Sequence, residues 1–140
     1  MKIVDWETKL VDYVESVMDM PIRYGVHDCT TFAAKCVEVM TGTNPIADVL
    51  GSYKSKKESK QLIKSLCPSG DYSELIKIRC ERLGYKETSR AFAARGDIVE
   101  YNTPEGIGLG VCLGNTFAAV GPRCLRHYGM GLALKIYKVD

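Results

Sequence analysis

Apolar positions in the first half of the chain recur at helical spacing, and those in the second half alternate. Trp6, Leu10, Tyr13, Val14, Val17 and Met18 trace one face of a helix that Asp5 is placed to cap and Met20-Pro21 ends. After a short loop, Asp28 is a suitable N-cap for a second helix from Cys29 to about Met40, whose apolar face is Cys29, Phe32, Ala33, Cys36, Val37 and Met40. Thr41-Gly42 supplies its stop. Asn44-Pro45 opens a short helical turn that ends at Gly51. Ser55 to Glu58 has the form of a capping box for a helix carrying Leu62, Ile63 and Leu66, which Cys67-Pro68-Ser69-Gly70 breaks. Asp71 to Glu74 repeats that logic for a helix running to Leu83 and Gly84. From Asp97 onward the period changes. Residues 97–101, 107–113, 115–120 and 132–139 read as strands between glycine-rich turns, with Gly114-Asn115 as a tight hairpin signal. Helices first and antiparallel strands second predict an α+β domain.

The 140 residues suit a single domain, 1–140, with neither a linker nor an internal repeat. Hydrophobic residues make up 46% and charged residues 26%, a balance that excludes disordered and low-complexity classes. Nineteen basic against 17 acidic residues leave a net charge of +2, too even for a dedicated nucleic-acid binder, so nucleic acid is not an expected partner. No apolar run approaches the ~18 residues of a membrane span. The N-terminus lacks the basic-then-apolar layout of a signal peptide, and the expectation is a protein synthesised in the cytoplasm. The six cysteines (29, 36, 67, 80, 112 and 124) then read as thiols rather than as a disulfide framework. No C-x-x-C pair is present and His27 and His127 are the only histidines, so neither a structural metal nor a cofactor is expected. Lys54 to Lys60 carries four lysines against one acid and reads as the solvated face of a capped helix, with no interleaved aromatic to stack on bases. Eight tyrosines, spread over several elements, suit a protein contact surface as well as a core.

Only Cys29 has a local setting that suggests chemistry. In the first turn of a helix, unpaired amides and the helix dipole favour an anion, which predicts a lowered thiol pKa. The same amides can hold an oxyanion after attack on a carbonyl. A cysteine peptidase needs in addition a base, normally a histidine. Without one, a cysteine at a helix start is ordinarily a small core residue.

Three stretches carry a resemblance. Tyr24-Gly25-Val26-His27-Asp28-Cys29-Thr30-Thr31-Phe32 resembles the nucleophile region of NlpC-like, papain-like cell-wall cysteine peptidases. Ala94-Arg95-Gly96-Asp97-Ile98-Val99 resembles the family's first strand, and Gly110-Val111-Cys112-Leu113-Gly114-Asn115 its next hairpin. The run from Asp28 to Thr43 is most similar to a divergent NlpC-like group encoded among the tail genes of tailed phages and prophages. The resemblance implies N-terminal helices packed on a small C-terminal antiparallel sheet, with Cys29 at the nucleophile position facing the strand segment 107–111. It also implies a place in the virion tail, with other tail or tail-tip proteins as partners and host peptidoglycan as a further one.

The departures bear on activity. The family's base histidine falls on Gly108, its oxyanion-site tyrosine on Ile22, and the glycine after the nucleophile on Thr31. His127 and His27 are the candidate substitutes for the base. Asp28 reads as a cap and Asp97 as a strand-start turn former. The leading expectation is a tail or tail-tip protein with a degenerate peptidase fold that acts in assembly or contact through an exposed apolar patch. The alternatives are an active endopeptidase or amidase cleaving cell-wall peptides during entry, and a nucleic-acid-binding virion protein.

Overall fold

The computed structural model describes residues 1–140 and divides, as the change of period predicts, into a helical half and a sheet half. Helix α1 (Trp6–Ser16) lies on α2 (Cys29–Thr41) through Leu10 and Val14 on one side and Phe32, Cys36, Val37 and Met40 on the other. Tyr13 stacks on Phe32 with ring centroids 6.0 Å apart. Phe32 is fully buried, and burial of such a side chain is worth about 1.5–3 kcal/mol. Gly42, at φ 85°, ends α2 in the left-handed conformation that only glycine adopts freely. Asp5 does not cap α1. It stands at φ 61° rather than in the extended conformation of a cap, and its side chain makes no capping bond.

Asn44 orders the next turn by accepting the Ile46 N–H at 2.9 Å, and a single 3-10 turn, Ala47–Val49, follows Pro45. Helix α3 (Lys56–Leu66) is capped by Ser55, whose Oγ accepts the Glu58 N–H at 3.1 Å. Glu58 reaches back to the N–H of Lys54 at 2.8 Å, one residue before the cap, so the box is displaced. Helix α4 (Tyr72–Arg82) starts on Asp71, which accepts the Ser73 N–H at 3.0 Å.

The strands are β1 (Glu87–Thr88), β2 (Ile98–Thr103), β3 (Gly106–Cys112), β4 (Thr116–Val120), β5 (Leu125–Gly129) and β6 (Ala133–Tyr137). They form one antiparallel sheet in the order β1-β6-β2-β3-β4-β5. Strands β2 to β5 are a meander, and β6 returns across it to pair with β2. The Gly114-Asn115 turn closes with the Leu113 N–H on the Thr116 carbonyl at 2.8 Å, and Gly114 takes φ 115°. The two-residue strand β1 was not legible in the hydrophobic pattern, and β5 carries its polar residues Arg126 and His127 consecutively, which hides its alternation.

One face of the sheet, with Ile98, Leu109, Val111, Ala118, Leu125 and Tyr137, packs on α1, α2 and α4 as the main core. The opposite face buries Val99, Tyr101, Cys112, Phe117, Ala119, Ala133 and Ile136 under Ala93, Tyr128 and Met130. Asp97 is buried at the start of β2, where it accepts the Ala94 N–H at 2.9 Å, the Val139 N–H at 3.3 Å and the Lys138 ammonium at 2.9 Å. It is a turn former that also ties down the C-terminal residues. All six cysteines are free thiols. No helix is long and apolar enough to cross a membrane.

Candidate functional site

Cys29 is the first residue of α2, and Asp28 fixes that start. One carboxylate oxygen, Oδ1, accepts the Thr31 N–H at 2.8 Å and the Thr31 hydroxyl at 3.1 Å, while Thr31 Oγ1 accepts the Asp28 N–H at 2.7 Å. Thr31, standing where the resemblance expects glycine, therefore completes a capping box. The other oxygen, Oδ2, accepts the Gly25 N–H at 2.8 Å and the Tyr53 hydroxyl at 2.7 Å. Gly25 stands at φ 82°, where a Cβ would lie 2.1 Å from the Tyr53 carbonyl oxygen, so only glycine lets the loop close on that segment. Asp28 is thus a buried hub joining helix, loop and the chain before α3.

The Cys29 sulfur lies beside Leu109 of β3, within the strand segment 107–111 expected to face it. The Leu109 N–H, which lies beyond the last registered β3–β4 pair, Gly110 with Ala119, is near enough to the sulfur to favour its thiolate. Thr30 Oγ1 lies 3.9 Å and Tyr72 Oη 3.8 Å from the sulfur, and the two hydroxyls hydrogen-bond to each other. Burial, and then the negative charge of Asp28, push the thiol pKa up against the opposing pull of Leu109, Tyr72 and Thr30. This overturns the expectation of a lowered pKa. The helix dipole favours an anion at its N-terminus, but Asp28 already supplies one and occupies the Thr31 amide.

Neither histidine hydrogen-bonds to the sulfur, whose partners are Thr30 and Tyr72. His27 is 1% exposed and packs edge-on against Phe32 at 6.0 Å. Its Nε2 has no partner, and burial lowers its pKa. The loop bonds between Arg23 and His27, 2.8 and 2.7 Å, hold it there. His127 is an exposed residue of β5, opposite Ala118, which in turn pairs with Val111. With strands about 4.8 Å apart and residues about 3.4 Å apart along them, its backbone lies about 12 Å from that of Leu109. At Gly108 the expected base position is occupied from the neighbouring strand. A Cβ there would lie 2.8 Å from Thr103 Cγ2 and 3.0 Å from Tyr101 Cε1. Tyr101 is itself locked between Phe117 and Tyr128, at 5.0 and 5.5 Å between centroids. Ile22 is a surface residue, 38% exposed.

The polar groups around Cys29 that sequence reasoning missed come from distant segments. Tyr72 is 43 positions away, and its only local signal is its place after the Asp71 cap. Its neighbour Ser73 donates to both oxygens of Glu100, at 3.0 and 2.9 Å. Glu100 is 1% exposed, pairs with Leu109 in the ladder, and has its pKa raised by burial. The first turn of α4 therefore touches both the sulfur and a buried carboxylate. No group of three or more His, Cys, Asp or Glu side chains converges as a metal site. On α3, Lys56 pairs with Glu105 at 2.9 Å on the surface, in keeping with a solvated lysine face.

No curated protein matches the chain. One family model spans residues 1–139, and the chain is therefore a member of the family described as Domain of unknown function (DUF6950).

Proposed function

We propose that this chain is a tail or tail-tip protein of a tailed phage, built on an NlpC-like, papain-like domain that serves assembly or contact and does not hydrolyse peptides. The observation that carries the reading is the environment of Cys29. A cysteine at a helix start, against the strand residue that follows Gly108, is the arrangement such a peptidase needs. The hydrogen-bond partners of its sulfur are the hydroxyls of Thr30 and Tyr72, neither of which can take the thiol proton at neutral pH and return it to a leaving amine, and the nearby Asp28 carboxylate is committed to Thr31, Gly25 and Tyr53. Tyr101 over Gly108 fills the space a base would need. A contact role is supported by Phe92 and Leu132, 70% and 59% exposed, on two turns joined by the Arg90 guanidinium and the Gly131 carbonyl.

The test has two arms. Mass spectrometry and immunogold microscopy of purified particles of the encoding phage should find the protein at the tail, and its absence from particles would overturn the structural role. Purified protein incubated with peptidoglycan stem peptides should release no cleaved product. Cleavage that disappears in Cys29→Ser would establish instead the second reading, an active cell-wall hydrolase, which the retained Cys29 and its Leu109 N–H favour.

A further inference from the structure

Helix α3 is amphipathic, yet none of its residues is buried. Leu62, Ile63 and Leu66 line a pocket of about 100 Å³, partly open to solvent, between α3, α2, the 45–49 turn, α4 and the sheet. The opposite wall is made of small α2 residues, Ala33 and Ala34, and this is why the space is empty: no side chain from α2 reaches across it. Ile98 and Leu109 form the floor, and Leu75 and Ile76 of α4 the far side. Protein interiors close voids of this size because unfilled apolar walls forfeit contacts. Helix α3 instead leaves its apolar stripe only partly packed over the pocket.

The polar groups at the wall define what could fill it. The Tyr72 hydroxyl is paired with Thr30, and the Tyr53 hydroxyl with Asp28. The one charged lining residue, Arg79, is held in a two-pronged pair by Asp48 at 2.7 and 2.9 Å and also donates to the Pro45 carbonyl. No free charge remains to bind an ion, and water, which needs two to four polar partners, is poorly accommodated.

We propose that this pocket is a binding site for a small uncharged apolar molecule, an aliphatic chain or a single aromatic ring, admitted through its open side. The scale fits: an engineered apolar cavity of about 150 Å³ stays dry and binds benzene or xenon. The site is separate from the proposed tail role; Cys29 does not line it, although Thr30, Tyr72 and Leu109 border both the pocket and the sulfur.

The test uses benzene as the probe on the intact chain, followed by methyl NMR and thermal unfolding. The expected result is saturable shifts confined to methyls of Ala33, Ala34, Leu62, Ile63, Leu75 and Ile76, with a rise in unfolding temperature. Ala34→Leu, which fills the void, should weaken binding by about tenfold or more. Ile63→Gln, at a partly exposed position of α3 on the pocket wall, should do the same and serves if Ala34→Leu does not fold. No saturable shift up to the solubility limit of benzene, or undiminished affinity in either folded variant, overturns the proposal.

Discussion

Replacing Asp28 by alanine removes a single carboxylate that serves four hydrogen bonds. Loss of the cap itself costs about 1 kcal/mol. The Gly25 N–H and the Tyr53 hydroxyl are then left without their acceptor, at about 1–3 kcal/mol each where they stay dry. The bonds share one group and do not add fully, so the expected total is about 3–5 kcal/mol. Against a net stability of about 5–15 kcal/mol, that is a large fraction, and it corresponds to a fall in Tm of about 10–15 °C for a chain of this length. Asp28→Asn separates the two halves of the site. It keeps Oδ1 for Thr31 but sets an NH2 group against the Gly25 N–H, so the expected cost is about half. Urea unfolding monitored by circular dichroism and by tyrosine fluorescence should show both midpoints lowered with unchanged slope. In a double-mutant cycle, Tyr53→Phe should recover about 1 kcal/mol in the Asp28→Ala background, because it removes one of the stranded donors. An Asp28→Ala variant within about 1 kcal/mol of the parent, or an Asn variant as unstable as the alanine one, refutes the reasoning that Asp28 holds the start of α2 through both oxygens.

Three further outcomes follow from the same environment. Alkylation at neutral pH should modify the exposed Cys124 first and Cys29 slowly, since burial raises the Cys29 pKa and so lowers its thiolate fraction; peptide mapping that finds Cys29 the faster of the two would contradict this. Gly108→His should not create a peptidase by itself and should cost about 1–3 kcal/mol in chemical unfolding, because its Cβ meets Thr103 and Tyr101; a stable variant with new cleavage activity would show that Tyr101 does not block the position. For Glu100 the folded pKa lies above the unfolded one, so the native state binds the extra proton and stability falls as pH rises from about 4.5 through the folded value. Glu100→Gln should therefore gain on the parent as pH goes from 4 to 7, read from unfolding midpoints at both values, and a gain in the opposite direction refutes the assignment.

What the sequence determined by itself is what local rules decide. The helical period over Leu10–Val14 and Phe32–Met40 specifies two apolar faces that must be buried, and Asp28, Ser55, Asp71 and Gly42 mark ends because caps act within one turn. Gly114-Asn115 sets its hairpin for the same reason. Local rules failed where two backbone conformations compete over a single residue, as at Asp5, whose left-handed φ undoes its capping. The candidate nucleophile was legible as a cysteine after a cap, but its reactivity was not. The pKa of Cys29 depends on how deeply α2 presses it against Leu109 and on a hydroxyl from α4, and desolvation is a property of packing between segments far apart in the chain. The same holds at Gly108. The sequence reads only a missing side chain, whereas the β2–β3 register that pairs Tyr101 with Gly108 decides that the vacated space belongs to an aromatic ring. Register is fixed by the whole sheet finding a common buried face, and no stretch of sequence around Gly108 contains that information.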